Sequence, residues 1–562
     1  MAAAAPQSNA RWLHGPASDL LLGAGLVYLP LLFLLVLAGP TVQTWIPFGI
    51  MPILALLFST PHLGATLLRV YERGEDRSRY RYFAIHATIF IALAFLLGLY
   101  VPIVGSVMVT IYLTVVPWHF TGQNYGITLI FLRRRGVEVD RLTKRLIYTS
   151  FISTYLMALL ALHGRAPSAD YAPLQVAGTV YRFLGLGIPP QIQLVAFVLL
   201  AIVFSAALLT AWLRLRQKAP LRDLLPGGAV VLTQSVWYVL PILVALLLPH
   251  RLGPFAASNH AYTFMWVSFA HGIQYLWITT YYARRQKPPT AQPRFLGKAL
   301  LAGAAIYGFP ILVLAPNALG EVPYYGGLFL MISGALNVHH VLLDSAIWKL
   351  RDGRIADILI RARSEDATPV APSSGRRWPR GVVWASGVVA VVLTLFGTFE
   401  YEYGFVRAAA RGDLERLEVA GARLSSIGRD DANLRASIGL MQAERGDAAR
   451  AMQSFERSLE LFPTVYAWLN VGVLRESGGD VEGALAAYDE AMALEPNNVD
   501  ALFYSGRAHL VQEDLWRARA LLAEAARAAP ERADIRETLQ LAWKSKGSSD
   551  MVVHPGLVGR RP

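Results

Sequence analysis

Four short histidine blocks lie inside long apolar runs: Thr60-Pro61-His62, Trp118-His119-Phe120, Phe269-Ala270-His271 and Val338-His339-His340. An imidazole in hydrocarbon is costly without a partner, which makes intramembrane histidines functional candidates. Counting back from the basic residues that end each run, all four blocks fall at similar depth in the cytoplasmic half of a bilayer. Four imidazoles at one depth point to a shared metal ion. Neutral imidazole suits iron, copper, zinc or nickel. With neither thiolate nor carboxylate among them, such ligands leave the charge of a divalent cation free to activate something else. The expected ligands are His62, His119, His271 and His339, with His340 as the alternative to His339. A single membrane histidine is more often a hydrogen-bonded packing residue; the argument rests on four together.

Polar residues follow the histidines at helical spacing. Gln123 follows His119, Gln274 and Tyr275 follow His271, and Asp344 follows His340 at i+3 or i+4, so each shares a helix face with its histidine. With Asn124, they are expected to orient the imidazoles, although Asp344 fits a residue reaching for the interface equally well. Trp118, Tyr125, Phe269, Tyr275 and Trp277 are placed to line a tunnel for a hydrophobic substrate, while aromatics at such spacings more often simply pack. His86 is a spare ligand at the inner end of its run. No general acid, base or nucleophile stands out, and the catalytic residues stay unassigned.

The elements that must position these residues are membrane helices. The chain has 562 residues, 54% hydrophobic, with a formal charge of +13 and no cysteine. Apolar runs of about 20 residues, enough to span a hydrocarbon core of roughly 30 Å, recur from Asp19 to Tyr403. They predict eleven spans, at 18–38, 45–69, 82–103, 105–132, 145–164, 189–213, 226–249, 258–283, 298–316, 323–350 and 382–403. The first run continues to membrane length, so no cleavable signal peptide is expected. Basic residues cluster after even-numbered spans, as in Arg69 and Arg73, Arg133 to Arg135, and Arg284, Arg285 and Lys287, while Gly39 to Thr44 carries no charge. This asymmetry predicts a cytoplasmic N-terminus in a bacterial inner membrane and an extracytoplasmic segment after Tyr403. The fold class expected is all-α: a polytopic transmembrane bundle followed by an α-solenoid. Its parts are a membrane domain (1–350), a polar cytoplasmic linker (351–381), a last span (382–403), a helical repeat domain (404–545) and a disordered tail (546–562). The missing cysteine excludes thiolate metal sites, c-type haem attachment and disulfides. Positive charge sits in short loops and not in a nucleic-acid patch, so no nucleic acid is expected as partner. P-loop, dinucleotide, nucleophile-elbow and zincin motifs are absent.

From about Asn433 to Asp534 the sequence repeats with a period of about 34 residues. Gly439, Gly472 and Gly506 are in register, as are Pro463, Pro496 and Pro530. Ala484 to Ala491 followed by Leu494-Glu495-Pro496 resembles the second helix and closing turn of a tetratricopeptide repeat. The resemblance implies a protein-binding surface, with 404–432 as a degenerate cap.

Pro61-His62-Leu63-Gly64-Ala65, His119-Phe120, Phe269-Ala270-His271 and His339-His340 with Asp344 resemble, in that order, the Brp/Blh-type membrane β-carotene cleavage dioxygenases. The likeness covers roughly residues 45–350 and is confined to these blocks. It implies a non-haem Fe(II) held by histidines and an oxygenation, desaturation or oxidative cleavage of a hydrophobic small molecule reached from the lipid bilayer. The chain departs from the family pattern at Thr66 and Asn124, where the family has aspartates, and at Tyr275, where it has a second histidine. Three other classes compete. A polyprenyl-phosphate-sugar glycosyltransferase needs an acidic residue in its first outward loop, which Gly39 to Thr44 lacks. Paired histidines also serve as axial ligands of haem b. A non-catalytic scaffold would use the repeats to recruit partners and the histidines to pack.

Overall fold

A computed structural model describes residues 11–30, 51–72, 74–164, 166–167, 180–247, 257–285, 290–315, 319–320, 322–350, 353–361 and 380–545. They fall into two compact units. One lies within Met1–Gln175, Thr179–Val313 and Gly327–Thr398, the other within Val176–Gly178, Leu314–Gly326 and Phe399–Pro562. The Gly39 to Thr44 loop, most of the linker and the tail 546–562 lie outside the described residues.

Eight helices among the described residues are long and apolar enough to cross a membrane, against the eleven spans expected. They are α1 (Pro52–Tyr71), α2 (Tyr82–Tyr100), α3 (Pro102–Arg134), α4 (Arg141–His163), α5 (Pro190–Arg216), α8 (Gln292–Leu314), α9 (Phe329–Ile347) and α10 (Gly381–Arg411). Between α5 and α8 come α6 (Leu221–Tyr238) and α7 (Ala257–Arg285). Part of the difference falls on residues outside the described ones, 31–50 among them, and part on local features. The first apolar run starts with a helical turn at Pro16–Ser18 and a wide turn at Asp19–Gly23, and Gly25 at φ 77° breaks it before helix resumes at Tyr28. The run at 226–249 is divided at Val239 into α6 and a short helix, Leu240–Leu247. Helix α7 is unbroken, but His271, Gln274, Thr279 and Thr280 make it too polar to count as a span by composition.

Small residues let the site-bearing helices approach closely. A Cβ on Gly64 of α1 would stand 1.8 Å from the Ala299 carbonyl oxygen of α8, and one on Gly303 of α8 would stand 1.9 Å from the Thr60 carbonyl oxygen. On α7, a Cβ on Gly272 would stand 2.9 Å from the Phe58 carbonyl oxygen. Backbone contact therefore brackets His62 on both sides. A buried amide joins three more helices: Gln234 of α6 donates to Thr121 of α3 and Thr154 of α4, both at 3.0 Å, and accepts from Asn124 of α3 at 2.8 Å. Buried Asp19 accepts from the Leu13 and His14 backbone and from Trp277 Nε1 at 3.0 Å, tying the first segment to α7. The start of the expected linker, Gly353–Leu359, is a helix with Ile355, Ile358 and Leu359 buried.

The second unit is built of α11 (Leu414–Ser426), α12 (Ala432–Glu444), α13 (Ala448–Leu461), α14 (Val465–Ser477), α15 (Val481–Leu494), α16 (Val499–Val511), α17 (Leu515–Ala528) and α18 (Ala533–Lys544). Asp413, Asp431, Asp447, Thr464, Asp480, Asn498 and Asp514 each accept a hydrogen bond from a first-turn backbone N–H of the helix they start. Each such cap contributes about 1 kcal/mol. The in-register glycines explain the repeat. Gly439 faces Phe455, Gly472 faces Tyr488 and Gly506 faces Leu522, and a Cβ on any of them would meet that side chain at 3.1 Å or less.

One cap is also a titrating group. Burial pushes the Asp431 carboxyl up to about 6, the Leu434 backbone N–H opposes the rise and neighbouring Asp430 adds to it. A carboxyl raised above its unfolded value near 3.9 stabilises the fold fully below about pH 4. That contribution is lost as pH rises through about 6. Wild type should therefore lose about 2 to 3 kcal/mol between pH 4 and 7.5 that Asp431→Asn, which keeps the cap, does not lose. Unfolding of the repeat unit at the two pH values checks the difference.

Candidate metal centre

Helices α1, α3, α7 and α9 each deliver one histidine to a single buried point. His62, His119, His271 and His340 offer ring nitrogens that all lie within 4.8 Å of one another. Ring centroids are 4.2 Å apart for His62 and His340, 4.8 Å for His62 and His271, and 5.0 Å for His119 with either His271 or His340. Two donors opposite one another on an ion with bonds of about 2.1 Å would be about 4.2 Å apart, so the spread of 4.8 Å lies within a small contraction of a coordination sphere.

Among the described residues, His62 Nε2, His119 Nε2, both nitrogens of His271 and His340 Nε2 are buried without a hydrogen-bond partner. Buried polar atoms are nearly always satisfied, and a cluster of exceptions asks for an absent group. An ion accepts one lone pair from each of the four rings at once, whereas packing leaves them unmet.

His339 stands apart from this cluster. Its Nε2 is 2.8 Å from Thr88 Oγ1 and 3.5 Å from the Tyr71 hydroxyl, toward α2, so the structure puts the expected reserve, His340, in the place expected for His339. Successive residues on a helix point about 100° apart, and only one of the pair can face α1, α3 and α7. His86 lies beside Tyr82, away from the cluster, with ring centroids 6.0 Å apart.

The polar residues divide. Tyr275 and Asp344 border the cage: the Tyr275 hydroxyl donates to Asp344 Oδ1 at 2.8 Å, and the Tyr275 ring packs edge-on against His62 at 4.7 Å. Gln123 donates to the His271 carbonyl at 3.4 Å, a backbone contact. Gln274 and Asn124 do not orient imidazoles. Gln274 donates to the Gly23 carbonyl and Asn124 to Gln234, because each faces a neighbouring segment that needs its hydrogen bond. Apart from Tyr275, the tunnel aromatics are not gathered at the cage either. Trp118 is 41% exposed, Tyr125 packs on Tyr148 and Phe151, Trp277 is held by Asp19, and Phe269 packs on Phe58 and Trp266. The ring stacked on the cage is Phe120, 4.1 Å from His271 at 28°.

Two residues escaped the sequence reading as site residues. Thr66 Oγ1 is 2.9 Å from His340 Nδ1, 2.6 Å from the Tyr275 hydroxyl and 3.0 Å from Asp344 Oδ1. Its place at i+4 from His62 was the available signal. Trp348 Nε1 donates to the Tyr275 hydroxyl at 3.0 Å, and its sequence position beyond α9 carried no sign of that.

Residues 439–498 and 477–541 match family models of the tetratricopeptide repeat, which supports a protein partner for this part of the second unit. A Pseudomonas putida protein described as a probable biofilm formation methyltransferase, WspC, is 37% identical over 92 residues. That match covers 16% of this chain and 21% of the relative, so the chain spans about a fifth of that protein's length.

Proposed function

We propose that the chain is a membrane-embedded, non-haem metalloenzyme, with Fe(II) as the ion, that oxygenates, desaturates or oxidatively cleaves a lipid-soluble substrate. The observation that carries this reading is the convergence of four imidazoles from four helices, each with a buried ring nitrogen that has no hydrogen-bond partner. Left without partners, each would cost about 1 to 3 kcal/mol. Nitrogen donors without thiolate suit iron among the first-row metals, and the short blocks around His62, His119 and His271 resemble the Brp/Blh-type dioxygenases in keeping with it.

In this reading His62, His119, His271 and His340 hold the ion, which would supply dioxygen and redox chemistry. Thr66 fixes the His340 ring through Nδ1 and leaves Nε2 to the ion. Phe120 and Tyr275 close the cage against water, which strengthens electrostatic interactions inside. Four imidazoles crowded within 4.8 Å argue for a bare ion over haem b, because two of them would occupy the plane a porphyrin needs. The basic residues after even-numbered runs support a cytoplasmic N-terminus and repeats outside the cytoplasm. There the repeats would dock a protein partner.

Metal analysis and an absorption spectrum of the detergent-purified protein test the proposal. One iron per chain without a Soret band is the expected result. A Soret band would establish haem, and no stoichiometric metal would leave a membrane-tethered scaffold that works through its repeats.

A further inference from the structure

We infer that Asp344 is a fifth, anionic ligand of the same ion, a reading that rests on the metal centre proposed above. Asp344 Oδ2 is buried and without a hydrogen bond. It stands 3.4 Å from His340 Nε2 and 3.6 Å from His119 Nε2, both themselves unpartnered. Neighbouring donors on one ion with bonds of about 2.1 Å are about 3 Å apart, so Oδ2 is one short adjustment from the coordination sphere.

The hydrogen bonding fixes which atoms face inward. Thr66 has one hydroxyl proton, and it goes to Asp344 Oδ1, which also accepts from Tyr275. His340 Nδ1 must then be the donor to Thr66 Oγ1, and its Nε2 carries a lone pair. A carboxylate oxygen facing that lone pair is repelled unless a proton or a cation lies between them, and one proton cannot serve the unmet Nε2 atoms of both His340 and His119 beside it as a cation can. Asp344 Oδ1 is held from outside by Tyr275 and Thr66, and Tyr275 is held in turn by Trp348. The carboxylate is thus turned to give one oxygen to the ion, and the network that orients it also orients His340. Charge favours the same arrangement. Four imidazoles leave two positive charges buried among apolar helices, and one carboxylate halves that burden. A five-donor site leaves one open position on an octahedral ion.

Co(II) titration of the full-length protein, purified in detergent and stripped of metal, tests this. Asp344→Asn preserves the acceptor for Tyr275 and Thr66 but removes the charge. Its Co(II) affinity should fall at least tenfold, and its d–d bands should strengthen as coordination drops from five to four. In wild type, infrared difference spectra on Co(II) addition should show a carboxylate band displaced by coordination, a readout independent of how the variant folds. Unchanged affinity and spectrum in the variant, or no carboxylate band in wild type, would overturn the fifth ligand and leave the four-histidine site standing. No Co(II) binding by wild type would overturn both.

Discussion

Alanine at His62, His119, His271 or His340 is expected to abolish stoichiometric metal, each single change lowering affinity by more than about 100-fold. Losing a residue that merely orients a ligand costs about 10- to 100-fold, and these four are the proposed ligands themselves. His339→Ala is the internal control. It shares α9, burial and residue type with His340, but its Nε2 is spent on Thr88, so metal content should be unchanged. The stability effects should carry opposite signs with and without the ion. In metal-loaded protein the four changes destabilise, because binding energy of the folded state is lost. In chelated protein they remove buried nitrogens that have no partner, so the midpoint should hold or rise. Histidines that only pack would destabilise equally in both states. Metal content and thermal midpoints, measured for five variants with and without chelator, separate the two cases.

His62, His119 and His271 could be found in the sequence because an imidazole in an apolar run is conspicuous and depth can be counted from flanking arginines. The choice between His339 and His340 could not be made that way. They have the same depth, and which one faces the cage depends on the rotation of α9, set by contacts with α1, α2 and α3. Thr66 was hidden for a different reason: a threonine in a membrane helix usually satisfies itself on its own backbone, as Thr394 and Thr398 do here. The repeat unit was legible because each glycine must clear a large side chain of the following helix, and that steric need recurs with the period. Helix α7 falls where a span was expected, while the hydrogen-bonding tasks of its polar residues and the division at Val239 left no mark in the apolar pattern. They meet needs of tertiary structure that hydropathy does not register.

The pairing of Gly64 with Ala299 and of Gly303 with Thr60 was equally invisible in the chain, and it sets the second large effect. Gly303→Ala should destabilise the first unit by about 3 kcal/mol, the upper end of the usual cost of overpacking. The added methyl would stand 1.9 Å from a carbonyl oxygen, and backbone cannot swing aside as a long side chain can. Helices α1 and α8 must therefore separate. Thr60 begins the turn that carries His62, so that separation should also draw one imidazole out of the cage and weaken metal binding, although residue 303 contacts no ligand. Gly297→Ala on the same helix tests whether the effect is steric. Nothing lies within 4 Å of that position, so the methyl should be neutral or slightly stabilising through helix propensity. Thermal unfolding in detergent together with metal content discriminates. If both variants lose stability alike, intolerance to substitution in α8 is general and the close approach does not hold the site together.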